Sequence, residues 1–411
     1  MTRAGATIAV AAGLMFAAPW TAHGQATSFA QVERGRYAVV TGNCQGCHTV
    51  PGEEPFAGGR GLETPFGTIY TPNITFEPET GLGSWSKDDF WQAMHEGIAP
   101  NGSKLYPAFP YPHFTKMPRQ EVDAIYDYLA TLPHVKKAKP ENDLPFPLSW
   151  RFAVTGWNWM FFERGAFQPD PNKSEQWNRG AYLVEGPGHC SGCHTEKNLA
   201  GADKASRHLM GGQLENWAAP GIRGGRNGNL ERWSEDDIVE FLKTGRNQHT
   251  AAFSTMSEVI SFSTQHMLED DLRAIATYLK DLEGEERATP AKPDEAVMKA
   301  GAAIYFDNCS ACHVSDGSGV PRFFAPLSGS GKVNNEDPTT VIRVILQGAR
   351  AVPTEAHPSP LTMPAFDWKL TDAQVAAVVS YIRASWGNSA APTSASEVRS
   401  LRRKLHSAGP S

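Results

Sequence analysis

Cys44-Gln45-Gly46-Cys47-His48, Cys190-Ser191-Gly192-Cys193-His194 and Cys309-Ser310-Ala311-Cys312-His313 use all 6 cysteines of a 411-residue chain. Two thiols one helical turn apart, followed at once by an imidazole, form the attachment pattern of c-type haem. The thiols suit the two vinyl groups on the porphyrin edge, and the histidine suits the iron as proximal ligand. Cys44, Cys47, Cys190, Cys193, Cys309 and Cys312 are therefore read as haem-attaching residues, with His48, His194 and His313 as iron ligands. Three other chemistries fit less well. Disulfides would leave each following histidine unexplained. A structural zinc site needs two further ligands beside a Cys-x-x-Cys pair. A thioredoxin-like pair needs no histidine and expects a βαβ setting. The expectation is three covalent haem c groups.

Cys44 and Cys190 stand 146 residues apart, Cys190 and Cys309 119, which is room for one compact domain per motif. The flanks repeat as well. Ahead of each motif runs a helix-like stretch in which a glycine precedes an aromatic: Gly35 and Tyr37, Gly180 and Tyr182, Gly301 and Tyr305. A small residue there permits close helix–helix approach while the aromatic fills the core. Midway through two of the units, Trp85-Ser86-Lys87-Asp88-Asp89 and Trp233-Ser234-Glu235-Asp236-Asp237 carry a helix-capping signature. The third keeps the helix, Val341 to Leu346, without the tryptophan. Amphipathic helices close the units at Glu121 to Leu129, Asp270 to Leu279 and Thr371 to Trp386.

The expected fold class is thus all-α, with three tandem cytochrome c-type domains over 27–140, 175–284 and 294–388. An aromatic-rich linker at 141–174 holds Trp150, Trp157, Trp159, Phe161 and Phe162, a density that points to packing against another domain or another subunit. A second linker spans 285–293, and a basic tail 389–411. Residues 1–26 read as a signal peptide: Arg3 supplies positive charge, and Ala4 to Ala18 is shorter than the ~20 apolar residues that span a bilayer. This predicts export to the periplasm. In the tail, Val398, Leu401 and Leu405 share one helical face among Arg399, Arg402, Arg403 and Lys404. Such a face suits peripheral contact with an anionic membrane, the alternative being a solvated charged tail. A net charge of −6 argues against a nucleic-acid partner.

An electron-carrying haem commonly takes a methionine as sixth ligand. Met363 in Leu361-Thr362-Met363-Pro364 and Met256 in Phe253-Ser254-Thr255-Met256 lie shortly before closing helices and are the expected ligands, with Met210 and Met267 as local competitors to Met256. The first unit has Phe109 at that place, which cannot bind iron. His113, four residues on, is the first candidate there and Met117 the second.

The sequence resembles the three-haem cytochrome c subunits of bacterial membrane-associated dehydrogenases that act on alcohol, gluconate, sorbitol, fructose or aldehyde. The likeness rests on the three motifs, Thr71-Pro72-Asn73-Ile74-Thr75, Gly81-Leu82-Gly83-Ser84-Trp85-Ser86, Leu105-Tyr106-Pro107-Ala108 and Ser263-Thr264-Gln265-His266. It implies electron transfer from a catalytic dehydrogenase subunit (molybdenum hydroxylase, flavin or quinoprotein type) to ubiquinone or a terminal oxidase, on the outer face of the cytoplasmic membrane. The Pro107-Ala108-Phe109-Pro110-Tyr111 form is more like cytochromes paired with molybdenum hydroxylases. No dinucleotide fingerprint or nucleophile motif suggests substrate chemistry in this chain. A peroxidase-like enzyme with an open first haem and a free-standing carrier are the rival readings.

Overall fold

The computed structural model describes residues 1–2, 28–286 and 289–407, so the signal-peptide reading falls almost wholly outside the described residues. The chain is mostly helical with three two-stranded hairpins. The first unit comprises α1 (Phe29–Thr41), α2 (Cys44–His48), the hairpin β1 (Gly61–Thr64) and β2 (Gly67–Tyr70), α3 (Lys87–Glu96), α4 (Tyr111–Phe114) and α5 (Arg119–Leu129). After α6 (Phe152–Phe161), the second repeats the plan. It has α7 (Glu175–Glu185), α8 (Ser191–His194), the hairpin β3 (Gly211–Leu214) and β4 (Trp217–Pro220), α9 (Glu235–Thr244), α10 (Thr255–Phe262) and α11 (Glu269–Asp281). The third has α12 (Glu295–Asn308), α13 (Ser310–His313), α14 (Thr339–Gln347), the short pair β5 (Ala349–Arg350) and β6 (Thr362–Met363), and α15 (Asp372–Ala384), followed by α16 (Ala395–Ser407).

Opening and closing helices cross in every unit, α1 with α5, α7 with α11 and α12 with α15. The glycines explain how close they come. A Cβ on Gly35 or Gly180 would lie 1.9 Å from the carbonyl oxygen of Ala124 or Ala274, and one on Gly301 would lie 2.3 Å from that of Ala377. No side chain fits at those distances. The capping signatures also form: Ser86 with Asp89, Ser234 with Asp237 and Thr371 with Gln374 satisfy each other's backbone N–H groups at the starts of α3, α9 and α15. Each unit buries its own apolar cluster, around Val39, Ile125 and Leu129, then Leu183, Leu272 and Leu279, then Ile342, Val375 and Ile382.

The first and second units pair through equivalent positions. Tyr37 of α1 donates to Asp271, third residue of α11, while Tyr182 of α7 donates to Glu121, third residue of α5. Each aromatic that follows a helix-crossing glycine thus reaches the other unit's closing helix, an approximate two-fold relation. Arg179 completes one side with two bonds to Asp271, at 2.8 and 2.7 Å.

The aromatic linker splits its loyalties. Val154 is buried, Trp157 donates to the Ala200 carbonyl of the second unit, and Phe162 packs edge-on to Tyr111 of the first. Trp150, Phe152 and Trp159 stay exposed. The amphipathic tail forms the expected helix, α16, but its apolar face is already used. Val398, Leu401 and Leu405 are buried in the third unit's core, and Arg402 and Arg399 bind Asp372 at the start of α15. This corrects both expectations for the tail, a lipid-facing anchor and a solvated end: a face packed on α14 and α15 is free for neither. No described helix is long and apolar enough to cross a membrane.

Candidate functional site: three cysteine–histidine centres

In each motif the first cysteine stands at the start of a short helix and the histidine is its last residue. The chain enters the first two through a left-handed residue, Asn43 at φ 48° and His189 at φ 36°. Such a kink re-aims the chain from the opening helix, and Asn and His tolerate it better than most side chains. No two of the six cysteines are joined as a disulfide. Burial pushes the Cys44 and Cys190 thiols up to about 12, and those of Cys193 and Cys309 to about 11. Metal-binding and nucleophilic cysteines need the opposite shift. Among the described residues, no three of His, Cys, Asp and Glu converge to hold a metal ion by themselves.

The histidines share one arrangement. Nδ1 of His48 lies 2.8 Å from the Pro72 carbonyl, that of His194 2.7 Å from Pro220 and that of His313 2.9 Å from Ala325. A carbonyl oxygen only accepts, so each Nδ1 carries the proton and each Nε2 keeps a lone pair. Burial lowers the basicity of all three rings, which keeps them neutral. A backbone-anchored, neutral imidazole with a free Nε2 is what an iron ligand requires. These carbonyl anchors were not foreseen from sequence. The available signal was a proline at or just after each anchor, Pro72, Pro220 and Pro326.

Cys47 of the first unit and Cys193 of the second line one space where the two units pair, and the nearby Cys47 adds to the burial that raises the Cys193 thiol. Between them opens a cavity of about 1720 Å³, lined by Gly46, Cys47, Arg60 and His113 on one side and by His189, Ser191 and Cys193 on the other. Arg60 binds both the Gly46 carbonyl and Glu258 of α10. The buried Oδ1 of Asn43, on the cavity wall, has no hydrogen-bond partner. The third centre differs in exposure: Cys312 is exposed, with Phe306, Phe323 and Trp368 exposed in the same unit.

Met363 lies in β6, paired with Ala349, and packs against the third core. Met256 sits in the first turn of α10 and packs with Phe241, Ile260 and Val352, at the boundary of the second and third units. Met210 and Met267 separate clearly: Met267 is buried in the second core beside Leu272, and Met210 lines the open cavity. Met117 is fully buried immediately before α5, at the place taken by Met267 before α11 and by Leu370 before α15. All three fill cores there, which speaks against Met117 as a ligand.

His113 turns toward the second unit. Its Nδ1 lies 3.1 Å from the Glu185 carbonyl and its Nε2 3.3 Å from Ser191 Oγ. Ser191 donates its own proton to Asp203 at 2.6 Å. Burial holds His113 neutral, so its Nε2 lone pair faces no donor, the same state as the three motif histidines.

The cytochrome c family pattern matches residues 32–133 and 298–386. Similarity to named proteins runs along nearly the whole chain. It is 42% identical to the gluconate 2-dehydrogenase cytochrome c subunit of Pantoea cypripedii, over 91% of this chain and 90% of that one. It is 39% identical to the cytochrome c subunit of the quinone alcohol dehydrogenase of Gluconobacter oxydans, over 96% and 87%. Identity to a nicotinate dehydrogenase subunit of Pseudomonas putida is 41%, over 87% of this chain but 30% of that longer protein. With identities of 42% and 39% over most of both chains, the chain belongs to the family of dehydrogenase cytochrome c subunits, the electron-transfer and not the catalytic subunits of those complexes.

Proposed function

We propose that the chain holds three covalent haem c groups, one per helical unit, and relays electrons from a catalytic dehydrogenase subunit to ubiquinone or the respiratory chain at the periplasmic face of the membrane. The observation that carries this is the recurrence of the anchored histidine, His48 on Pro72, His194 on Pro220 and His313 on Ala325. When bound, haem iron supplies one-electron chemistry. The protein's part is to fix each imidazole ring by its Nδ1–H bond, to present two cysteines one helical turn before it for attachment, and to exclude water with the three cores.

Met256 and Met363 are proposed as sixth ligands in the second and third units. For the first, Met117 is committed to the core, and His113 has a free Nε2 on the cavity it shares with Gly46 and Cys47. Ligation by His113 gives up its 3.3 Å contact with Ser191 and the 3.9 Å approach of Asp203 to the same nitrogen. The exposed Cys312 centre supports the third unit as the place where electrons cross to another protein. The catalytic partner is a dehydrogenase subunit of molybdenum hydroxylase, flavin or quinoprotein type, and Phe109 in Pro107-Ala108-Phe109-Pro110-Tyr111 leans toward the first.

The test is purification from membranes without denaturation. A large cofactor-bearing subunit should copurify, and its substrate should reduce the haem bands anaerobically. A pure single-chain cytochrome reduced by no dehydrogenase would favour a free-standing carrier.

A further inference from the structure

The contact between the second and third units contains two cations with no carboxylate bound to them. Lys332, from the loop before α14, donates at 2.9 Å to Thr250 Oγ1 and at 2.9 Å to the Ala251 carbonyl, and its ammonium lies 4.1 Å from the ring centre of Phe253. Arg343 of α14 places its guanidinium 3.9 Å from the ring of Trp217 and bonds the Glu215 carbonyl and Gln347. The two rings touch, with centroids 5.5 Å apart. Neither cation forms an ion pair with a described residue. Burial costs the Lys332 ammonium enough to bring it down to about 7. The Glu215 carboxylate lies near enough to favour the Arg343 charge, whereas Lys332 has only neutral acceptors, and such a charge is expensive to bury unless an anion completes the site.

What these rings belong to identifies the anion. Phe253 stands three residues before Met256, and Trp217 opens the strand β4 that ends at Pro220, whose carbonyl anchors His194. The third unit therefore presses its cations on the two segments that bracket the second haem. Haem c carries two propionate carboxylates, the one kind of anion that this cofactor brings.

We propose that Lys332, supplied by the third unit, is the cationic partner of the second haem, holding a haem carboxylate and raising that haem's reduction potential. This rests on the reading that the second motif binds haem c. The sign follows from charge: reduction adds one electron, and a nearby cation favours the state with less positive charge. The second haem's potential is then set jointly by two units, with Lys332 meeting the haem's carboxylate rather than its iron.

The experiment is a spectroelectrochemical titration of the intact protein, with haem counted by the pyridine method. In Lys332→Met, one of three midpoints should fall, with about a tenfold change in the reduction equilibrium, or about 59 mV. Lys332→Arg should restore it, and the near-infrared sulfur-to-iron band should keep its intensity in both. Should Lys332→Met lose haem, Lys332→Gln retains donors for Thr250 and Ala251 without charge and must still lower that midpoint. Three haems with unmoved midpoints, an upward shift, or an equal fall in Lys332→Arg would overturn the proposal. Fewer than three haems in the wild type would instead refute the underlying reading.

Discussion

Tyr37 and Asp271, 234 positions apart, meet in a 2.6 Å hydrogen bond from phenol to carboxylate, and Tyr182 and Glu121 repeat the contact in the opposite sense. The two sides differ electrostatically. Burial would raise the Asp271 carboxyl, but bonds from Arg179 and Tyr37 outweigh it and hold the group below the ordinary carboxylate range. Burial raises Glu121, and the Tyr182 bond only partly offsets that.

The signs of their pH dependence are therefore opposite. A carboxyl depressed by folding stabilises above its unfolded pKa of about 3.9, and that contribution fades as pH falls through the folded value. One raised by folding costs stability at neutral pH, and the cost disappears as pH falls below its folded value. Asp271→Asn should lose about 1–3 kcal/mol at pH 7 and progressively less as pH falls below about 4. Glu121→Gln keeps an acceptor for Tyr182 and should change stability by less than about 1 kcal/mol at pH 7. Urea midpoints at both pH values check this; equal losses for the two variants would contradict it.

The tail helix yields a second prediction. Leu401 is buried in the third core, so Leu401→Ala should cost about 2–5 kcal/mol, felt as earlier unfolding of the third unit. Truncation before α16 should cost haem from that unit. A truncated protein with full haem content and unchanged stability would return α16 to the membrane-facing reading.

His113→Ala removes the free Nε2 from the shared cavity. One of three haems should become high-spin and bind carbon monoxide, while the sulfur-to-iron band keeps the strength of two methionine ligands. Carbon monoxide binding by the wild type would show that the first centre is open. A band of three methionine ligands would restore Met117.

Much of this was legible because it is local. Cys-x-x-Cys-His spacing, the Ser86–Asp89 and Ser234–Asp237 caps and the glycines at the helix crossings all act within a few residues or through one steric rule. The tail was misjudged because an amphipathic pattern shows that Val398, Leu401 and Leu405 need cover without showing whether lipid or α14 and α15 supply it. The Tyr37–Asp271 pairing and the placing of Lys332 over Phe253 were not legible. Each joins residues from different units, and no periodicity records which unit packs on which. His113 stands out as a candidate by type and position alone, but its orientation on the Glu185 carbonyl needed the second unit in place.

Three covalent haems on three anchored histidines fix the mass of the mature protein. Intact-mass spectrometry of the mature protein, paired with the Cys190→Ala/Cys193→Ala variant, tests this most directly. A mass increment of three haems should survive acid–acetone and fall to two in the variant. Haem released by acid–acetone, or an increment of two or fewer in the wild type, would contradict it.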